Sequence, residues 1–280
     1  MHVGVTLHLT DRSIDIVDLA REVEARGFRS LYVPEHTHIP TSRQSPAPTG
    51  TPELDEQYYR SPDPYVALAA AAAVTEQIRL GTGIALVIQH DPIALAKTIA
   101  SLDHVSGGRF VLGIGYGWNR EEMANHGIEF GRRRDMVREW VLAMQQLWAH
   151  DEAEFRGEFV AYEPSAAWPK PVQQPSPPVL LGGAPGPTLI AHVAEFGHGW
   201  IPIGGAGVRD SIPDFRAAYE AAGRDPDTFR VVPFGTHPDE AKLAYYTELG
   251  CDEVVLRLPS APRDRVLPVL DDYVRFLTAT

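Results

Sequence analysis

The sequence predicts a single-domain α/β protein, a (β/α)8 TIM-type barrel, over residues 1–280. Eight short apolar runs alternate with eight helical patterns, which is the arithmetic of a closed barrel. The runs are apolar throughout, as parallel strands covered by helices are. The length is also close to the roughly 250 residues that one such barrel takes. A doubly wound open sheet is the alternative, but it has a glycine-rich turn after strand one, where this chain has Leu9-Thr10-Asp11.

The first half of the chain contains four strand–helix units. Helix one has apolar residues at helical spacing, with Asp11 or Ser13 as its N-cap. Pro64 and Pro92 begin the next two helices, because proline is accepted in the first turn. A polar, proline-rich loop at residues 36–60 separates strand two from its helix. The predicted strands are residues 3–9, 29–34, 78–87 and 109–113, and the helices are residues 13–26, 65–74, 92–105 and 132–148.

An irregular, proline-rich insertion at residues 150–178 precedes the second half of the chain. We expect a hairpin in this insertion around Arg156-Gly157-Glu158, where a glycine stands between two charged residues. Four further strand–helix units complete the barrel. The predicted strands are residues 179–181, 199–202, 230–234 and 253–258, and the helices are residues 187–196, 208–222, 238–249 and 263–277.

Composition narrows the classes of partner and the cellular compartment. The formal net charge of -12 argues against nucleic acid or an anionic membrane as a partner, although a local site can still be positive and hold an anionic small molecule. The one cysteine, Cys251, excludes an intrachain disulfide and is predicted to be a core-edge residue. No apolar run reaches the roughly 18 residues of a membrane span, and the chain begins with a strand rather than a signal peptide. We therefore expect a cytoplasmic protein.

Active sites of this barrel gather at the carboxyl ends of the strands. Five histidines fall at these ends, and together they favour a binding or catalytic site over a set of solvated loop residues. We expect four of the strand-end residues to contact a substrate, namely His8, His90, His237 and Arg257. The other strand-end candidates are Glu35, His36, His38, Gln89, Tyr116, Trp118, Asn119, Gly182 and Gly183.

The sequence His36-Thr37-His38 has the look of a metal-binding pair. A metal-dependent hydrolase on this barrel would need further histidine and aspartate ligands from later strands. His237 could serve, but no convincing set of carboxylates follows it. We therefore expect no metal ion, and we expect His38 to be an ordinary loop residue.

Two glycine-rich turns point to a flat ligand that carries a phosphate. Residues 181–187 follow a strand and open a helix, where backbone amides and the helix N-terminus favour a phosphate, although a plain tight turn is the alternative. Residues 113–118 lack the spacing of a dinucleotide fingerprint. Their glycines would let a ring approach the backbone, with Tyr116 or Trp118 as an apolar wall. Alternatively, both aromatic residues belong to the core.

These segments together resemble a known family. They are GFRSLYVPEHTHIP (27–40), the run 79–123 that contains LGIGYGWN, LLGGAPGPTLIAHVAEFGHGWIP (180–202) and GCDEVVLRLP (250–259). The chain resembles the luciferase-like monooxygenase superfamily, and in particular its deazaflavin (coenzyme F-420)-dependent oxidoreductase branch. The resemblance covers nearly the whole chain. It implies a TIM-type barrel, a flat ring lying across the strand ends, a small-molecule substrate and a homodimer.

The resemblance also implies roles for individual residues. His36 would lie near the reactive ring carbon and move a proton, and Glu35 would orient it or contact the ring. Gly83-Ile84 matches the place of a cis peptide bond that forms a bulge under the ring. The remaining cofactor contacts would be Tyr116, Gly117 and Trp118 around the ring, and Gly182, Gly183 and Ala184 around the phosphate.

One departure from the family limits the expected substrates. Sugar-phosphate dehydrogenases of this group have a glutamate at the position of Trp118, so we do not predict a sugar-phosphate substrate. Glu121 or Glu122 could supply a proton from one turn away. The sequence predicts hydride transfer with coenzyme F-420. The alternatives are an FMN-dependent monooxygenase that uses reduced flavin and oxygen, a metal-dependent hydrolase, and a barrel that binds a cofactor without catalysis.

Overall fold

A computed structural model describes residues 1–47, 53–205 and 207–279. Its main sheet is parallel, with hydrogen-bonded neighbours in the order β10-β11-β1-β2-β3-β4-β7-β8-β9. Part of the predicted loop 36–60, residues 48–52, lies outside the described residues. The strands of this sheet are β1 (His2–Thr6), β2 (Ser30–Val33), β3 (Arg79–Thr82), β4 (Phe110–Ile114), β7 (Val179–Gly182), β8 (Gly199–Ile201), β9 (Arg230–Val231), β10 (Phe234–Thr236) and β11 (Glu253–Arg257).

The sheet closes into a barrel through two consecutive segments of the chain, β9 and β10, which pair with opposite edges of the sheet. β9 pairs with β8, while β10 pairs with β11 and also accepts a bridge from Ile203 to Phe234. The two segments are therefore one barrel strand, interrupted at Pro233, which has no N–H to donate. The predicted eight-stranded barrel is confirmed, and the prediction of an unbroken strand over residues 230–234 is wrong.

Helices cover the outside of the barrel. Several begin at the signals that predict them, since Asp63 and Asp91 accept hydrogen bonds from helix N–H groups and are each followed by a proline. The helices are α1 (Ile16–Ala25), α2 (Pro64–Ala72), α3 (Pro92–Val105), α4 (Arg120–Asn125), α5 (Arg133–Ala149), α6 (Pro187–Phe196), α7 (Val208–Ala221), α8 (Glu240–Glu248) and α9 (Arg263–Tyr273). Within the described ranges, none of them combines the length and apolarity that crossing a bilayer requires.

Two differences from the sequence prediction matter for the site. The third strand ends at Thr82 rather than at residue 87, because the chain turns across the barrel mouth after Gly83 while its apolar side chains stay buried. The short helix α4 lies between β4 and α5, in a segment to which the sequence assigns no element. The insertion does contain the expected hairpin, formed by β5 (Ala153–Arg156) and the antiparallel β6 (Ala161–Ser165).

The core has two parts. One large cluster of buried apolar residues lies between the sheet and the helices. A smaller cluster fills the barrel interior, and Ile84 packs against it from the carboxyl ends of the strands. Its buried members are Tyr32, Val111, Leu180, Ile201, Val232, Phe234 and Val255. The barrel is therefore packed along its axis, and a ligand must lie above Ile84 rather than inside.

Candidate active site

Glu35 lies buried at the end of β2, with 3% of its surface exposed. One carboxylate oxygen accepts a hydrogen bond from Leu86 N–H at 2.6 Å, and the other lies 2.6 Å from His90 Nε2. Burial alone would lower the pKa of His90, but the hydrogen bond to Glu35 raises it. Glu35 is thus a structural anchor for the segment after β3.

His36, the next residue, makes a separate contact with helix α4. Its Nδ1 lies 2.9 Å from a carboxylate oxygen of Glu122, and the exposed fractions of the two side chains are 8% and 1%. The other Glu122 oxygen accepts a hydrogen bond from Thr37 N–H at 3.2 Å. A carboxylate on one ring nitrogen fixes the orientation of a histidine and leaves the other nitrogen, Nε2, for a ligand.

Aromatic rings surround the exposed edge of His36. Tyr58 and Trp118 lie at centroid distances of 5.4 and 5.8 Å from His36, and both meet it edge to face. Tyr58 also contacts His8 at 4.9 Å. Burial, followed by the charges of His36 and Arg257, lowers the pKa of His8 to about 4, so His8 is neutral near neutral pH. Its Nδ1 is buried and has no hydrogen-bond partner among the described residues.

Ile84 forms the floor of the site. The Gly83-Ile84 peptide bond is cis, as the family resemblance implies. A Cβ atom added at Gly115 would lie 2.6 Å from Ile84 Cδ1, and one added at Gly182 would lie 3.2 Å from Ile84 Cγ2. The Ile84 side chain therefore occupies space that only glycine leaves free at the ends of β4 and β7. Ile84 therefore forms an apolar surface over the cluster in the barrel interior.

The turn after β7 has the features of an anion cradle. Gly183 has φ +148°, which favours glycine, and its carbonyl accepts a hydrogen bond from Trp200 Nε1 at 2.9 Å. Ala184 is exposed, and helix α6 begins three residues later at Pro187. The first turn of a helix has N–H groups without intrahelical partners and a positive dipole end. Gly182, Gly183 and Ala184 thus lie where a phosphate would be favoured.

The three residues expected around the cofactor ring, Tyr116, Gly117 and Trp118, contact different parts of the protein. Trp118 faces His36, while Tyr116 turns toward α6, where its hydroxyl lies 2.8 Å from His192 Nδ1. Burial raises the pKa of Tyr116 to about 12. Gly117 has φ +73° and lies against Met123 of α4. These positions make Trp118 part of the His36 surroundings and Tyr116 part of the wall near the anion cradle.

The four predicted substrate contacts are also dispersed. His8 lies in the aromatic cluster, and the exposed Arg257 at the end of β11 is close enough that its charge adds to burial and to the charge of His36 in lowering the pKa of His8. His90 is tied to Glu35 behind the site and contacts Tyr65. His237 is exposed beyond β10. The structure therefore brings together His8 and Arg257, but not His90 or His237.

The histidine pair of the loop after β2 separates in the fold. His36 faces Glu122, whereas His38 Nε2 lies 2.8 Å from Asn125 Nδ2. Among the residues that the structure describes, no three His, Cys, Asp or Glu side chains form a group that could hold a metal ion.

Two residues of the site were not assigned from the sequence. The sequence predicts Glu122 only as a proton donor from one turn away, and it does not predict Tyr58. A signal for Glu122 existed, because Asn119 accepts a hydrogen bond from Glu122 N–H at 3.2 Å and so caps a helix that places the glutamate in its first turn. Tyr58 lies in a 3-10 turn of the loop and carries no such signal.

A parallel barrel with polar side chains gathered at its strand ends is an enzyme architecture. The model of the luciferase-like monooxygenase family matches residues 2–238, and the chain belongs to this family. Its members are oxidoreductases and monooxygenases.

The similar proteins span known and unknown activities. An uncharacterised protein of Mycobacterium tuberculosis is 46% identical over 267 residues, 94% of this chain and 94% of its own length. An F420-dependent hydroxymycolic acid dehydrogenase of the same organism is 29% identical, over 81% of this chain and 59% of its own length. In structure, an F420-dependent secondary alcohol dehydrogenase matches with a TM-score of 0.80 at 18% identity, over 99% of this chain and 98% of that one, which shows a shared fold.

Proposed function

We propose that this protein is an oxidoreductase that transfers a hydride between a deazaflavin, coenzyme F-420, and a small organic substrate. The observation that carries the proposal is the placement of His36, which has one ring nitrogen held by Glu122 and directly follows Glu35, whose N–H donates to Ile84 O at 3.2 Å. A group fixed in this way is suited to moving a proton at one defined point. The similarity to an F420-dependent dehydrogenase supports the choice of cofactor.

The residues present fit a flat ring system with a phosphate-bearing chain. Ile84 offers an apolar surface, and Gly115 and Gly182 leave the space that this surface needs. Gly183 and Ala184, next to the start of α6, would hold the phosphate through backbone N–H groups. A bound deazaflavin would supply two electrons and a proton as a hydride. The protein would supply the orientation and the exclusion of water.

His36 would handle the second proton of the reaction. Because Nδ1 faces the Glu122 carboxylate, Nε2 is the atom that would donate a proton to a substrate oxygen or take one from it. The adjacent carboxylate also stabilises the imidazolium that forms when Nε2 takes up a proton. Glu122 is thus a positioning residue in this proposal, and His36 is the catalytic residue.

The substrate would lie between His36 and the β11 side of the barrel mouth. Neutral His8 presents a buried nitrogen without a partner, and Arg257 presents a positive charge nearby. Tyr58 lies against both His8 and His36 and limits the access of water from the loop side. These three side chains would bind the substrate, and the homodimer that the resemblance implies stays a prediction.

Fluorescence titration of the purified protein with coenzyme F-420 and with FMN tests the cofactor. We expect quenching of deazaflavin fluorescence at micromolar concentrations, and weaker binding of FMN. The family description as monooxygenases favours FMN as the second candidate. A yellow chromophore that copurifies, or binding of FMN without binding of F-420, would overturn the deazaflavin assignment and support a flavin monooxygenase.

A further inference from the structure

A second, positively charged cleft lies on the outer side of Trp118. Its volume is about 790 Å³, and it lies between the loop after β2 and helices α4 and α5. The loop contributes Gln44, Ser45, Pro46 and Ala47, and the opposite wall contains Gly117, Trp118, Arg120, Glu121, Ala124, Phe130 and Arg133. The cleft thus combines two guanidinium groups with an apolar wall.

The two arginines share one aromatic ring. The guanidinium carbons of Arg120 and Arg133 lie 4.2 and 3.7 Å from the centroid of the Phe130 ring. A cation near an aromatic face is stabilised by the ring, so this packing fixes both positive groups at the cleft wall. Arg133 also donates to Phe130 O through Nη1 at 2.7 Å, which fixes its orientation further.

The acidic residue beside this arginine pair bonds to the loop rather than to either guanidinium group. Glu121 also lines the cleft, but its carboxylate accepts hydrogen bonds from Ser45 N–H at 2.7 Å and from Gln44 N–H and Ser45 Oγ. Those bonds hold the loop and use both carboxylate oxygens. Burial lowers the pKa of Arg133, and the charges of Arg134 and Arg120 lower it further.

Arg133 also carries an orphaned donor. Its Nε is buried and has no hydrogen-bond partner among the described residues. A buried donor without a partner is costly, and a clustered excess of positive charge is unexpected in a chain of formal net charge -12. An anionic group in the cleft would account for the clustered positive charge.

We propose that this cleft binds the anionic group, a carboxylate or phosphate, of an elongated substrate whose apolar body lies along Trp118. Trp118 lines the cleft and its ring centroid lies 5.8 Å from that of His36, so a molecule bound along Trp118 would extend from the cleft toward His36. The cofactor phosphate is assigned to a different place, the turn after β7. The inference rests on the proposed function, because it names the substrate class of the same site.

Calorimetric titration with phenyl phosphate, and with benzyl alcohol as a neutral probe, tests the cleft. We expect millimolar or tighter binding of phenyl phosphate and at least about tenfold weaker binding of the alcohol. Arg120→Gln should weaken phenyl phosphate binding about tenfold, because it removes one of the two positive charges of the cleft. Arg120 is exposed, so we expect the fold to be unchanged. Arg216→Gln on α7 removes the same charge from an exposed remote site and should change nothing.

Equal affinities for the Arg120→Gln and Arg216→Gln variants, or no binding of phenyl phosphate by the unmodified protein, would overturn the cleft assignment. Loss of phenyl phosphate binding on saturation with F-420 would also overturn it, because the cleft would then belong to the cofactor. If the protein bound neither F-420 nor FMN while phenyl phosphate still bound at Arg120, the proposed function would fail and the anion site would stand.

Discussion

The two halves of the strand-end face differ in the groups that line them. On the side of β2 to β4, side chains from distant segments lock together, as in the pairs Glu35–His90 and His36–Glu122. On the side of β7 to β11, the face consists of glycine backbone and of exposed side chains such as His237 and Arg257. The β2 to β4 side is suited to holding reactive groups at fixed positions. The β7 to β11 side is suited to binding ligand groups through backbone N–H groups and exposed side chains.

The largest effect is expected in the locked half, at His36. Replacement by glutamine removes the group that moves the proton, so turnover of any substrate that the wild-type protein reduces with F-420 should fall about 100-fold or more. The affinity for F-420 should change less than about threefold, because Ile84 and the β7 turn are untouched. His38→Gln, two residues further along the same loop, is the control and should retain wild-type turnover. Equal losses in the two variants would contradict the role of His36.

Glu122→Gln should have the next largest effect. The substitution keeps the shape of the side chain but removes the charge that orients His36 Nδ1, so kcat should fall about tenfold while KM changes less than about threefold. Glu220→Gln on the exposed surface of α7 controls for net charge. A rise in KM without a fall in kcat would contradict the positioning of the proton-handling ring by Glu122.

A pair of glycine substitutions compares the two halves directly. Gly115→Ala should weaken F-420 binding about tenfold, because the new Cβ would lie 2.6 Å from Ile84 Cδ1 and displace the floor. Gly186→Ala in the open half has no heavy atom within 4 Å of the new Cβ and should bind F-420 as the wild type does. Fluorescence titration measures both affinities. Equal affinities would remove Ile84 from the cofactor site.

Stability should depend on pH through His8, which follows β1 at the border between the two halves. Its folded pKa of about 4 lies below the unfolded value of 6.5, so the unfolded chain binds more protons between these values. The free energy of unfolding should therefore fall as the pH is lowered from 6.5 to 4, by roughly 3 kcal/mol from this group. His8→Gln should reduce the slope of urea-derived stability against pH, and His237→Gln, on an exposed histidine, should not. A wild-type slope in His8→Gln would contradict the burial of a neutral His8.

Much of the fold was predictable because each strand–helix unit carries local signals. Asp63-Pro64 and Asp91-Pro92 mark helix starts, and the apolar runs mark strands. The third strand was predicted too long, because the chain turns after Gly83 without losing apolarity and hydrophobicity alone cannot reveal a turn within a buried run. The break at Pro233 had a visible signal, since proline cannot donate to a sheet.

The site was only partly predictable, for a different physical reason. Residues at strand ends could be selected because a barrel gathers them on one face. Which of them touch is a matter of tertiary packing, as His36 and Glu122 are 86 positions apart. Family resemblance placed the Gly83-Ile84 cis bond correctly, whereas it gave no means to see that Glu35 anchors His90 while Glu122 orients His36.

The tautomer of His36 tests the central claim most directly. Long-range ¹H–¹⁵N spectra of protein labelled at its 11 histidines report which ring nitrogen carries a proton, and His36→Gln identifies the His36 signals by their loss. We expect the neutral His36 ring to carry its proton on Nδ1, against Glu122, and Nε2 to have the chemical shift of a nitrogen without a proton. In Glu122→Gln this preference for Nδ1 should weaken. A neutral His36 ring with its proton on Nε2 would contradict the account.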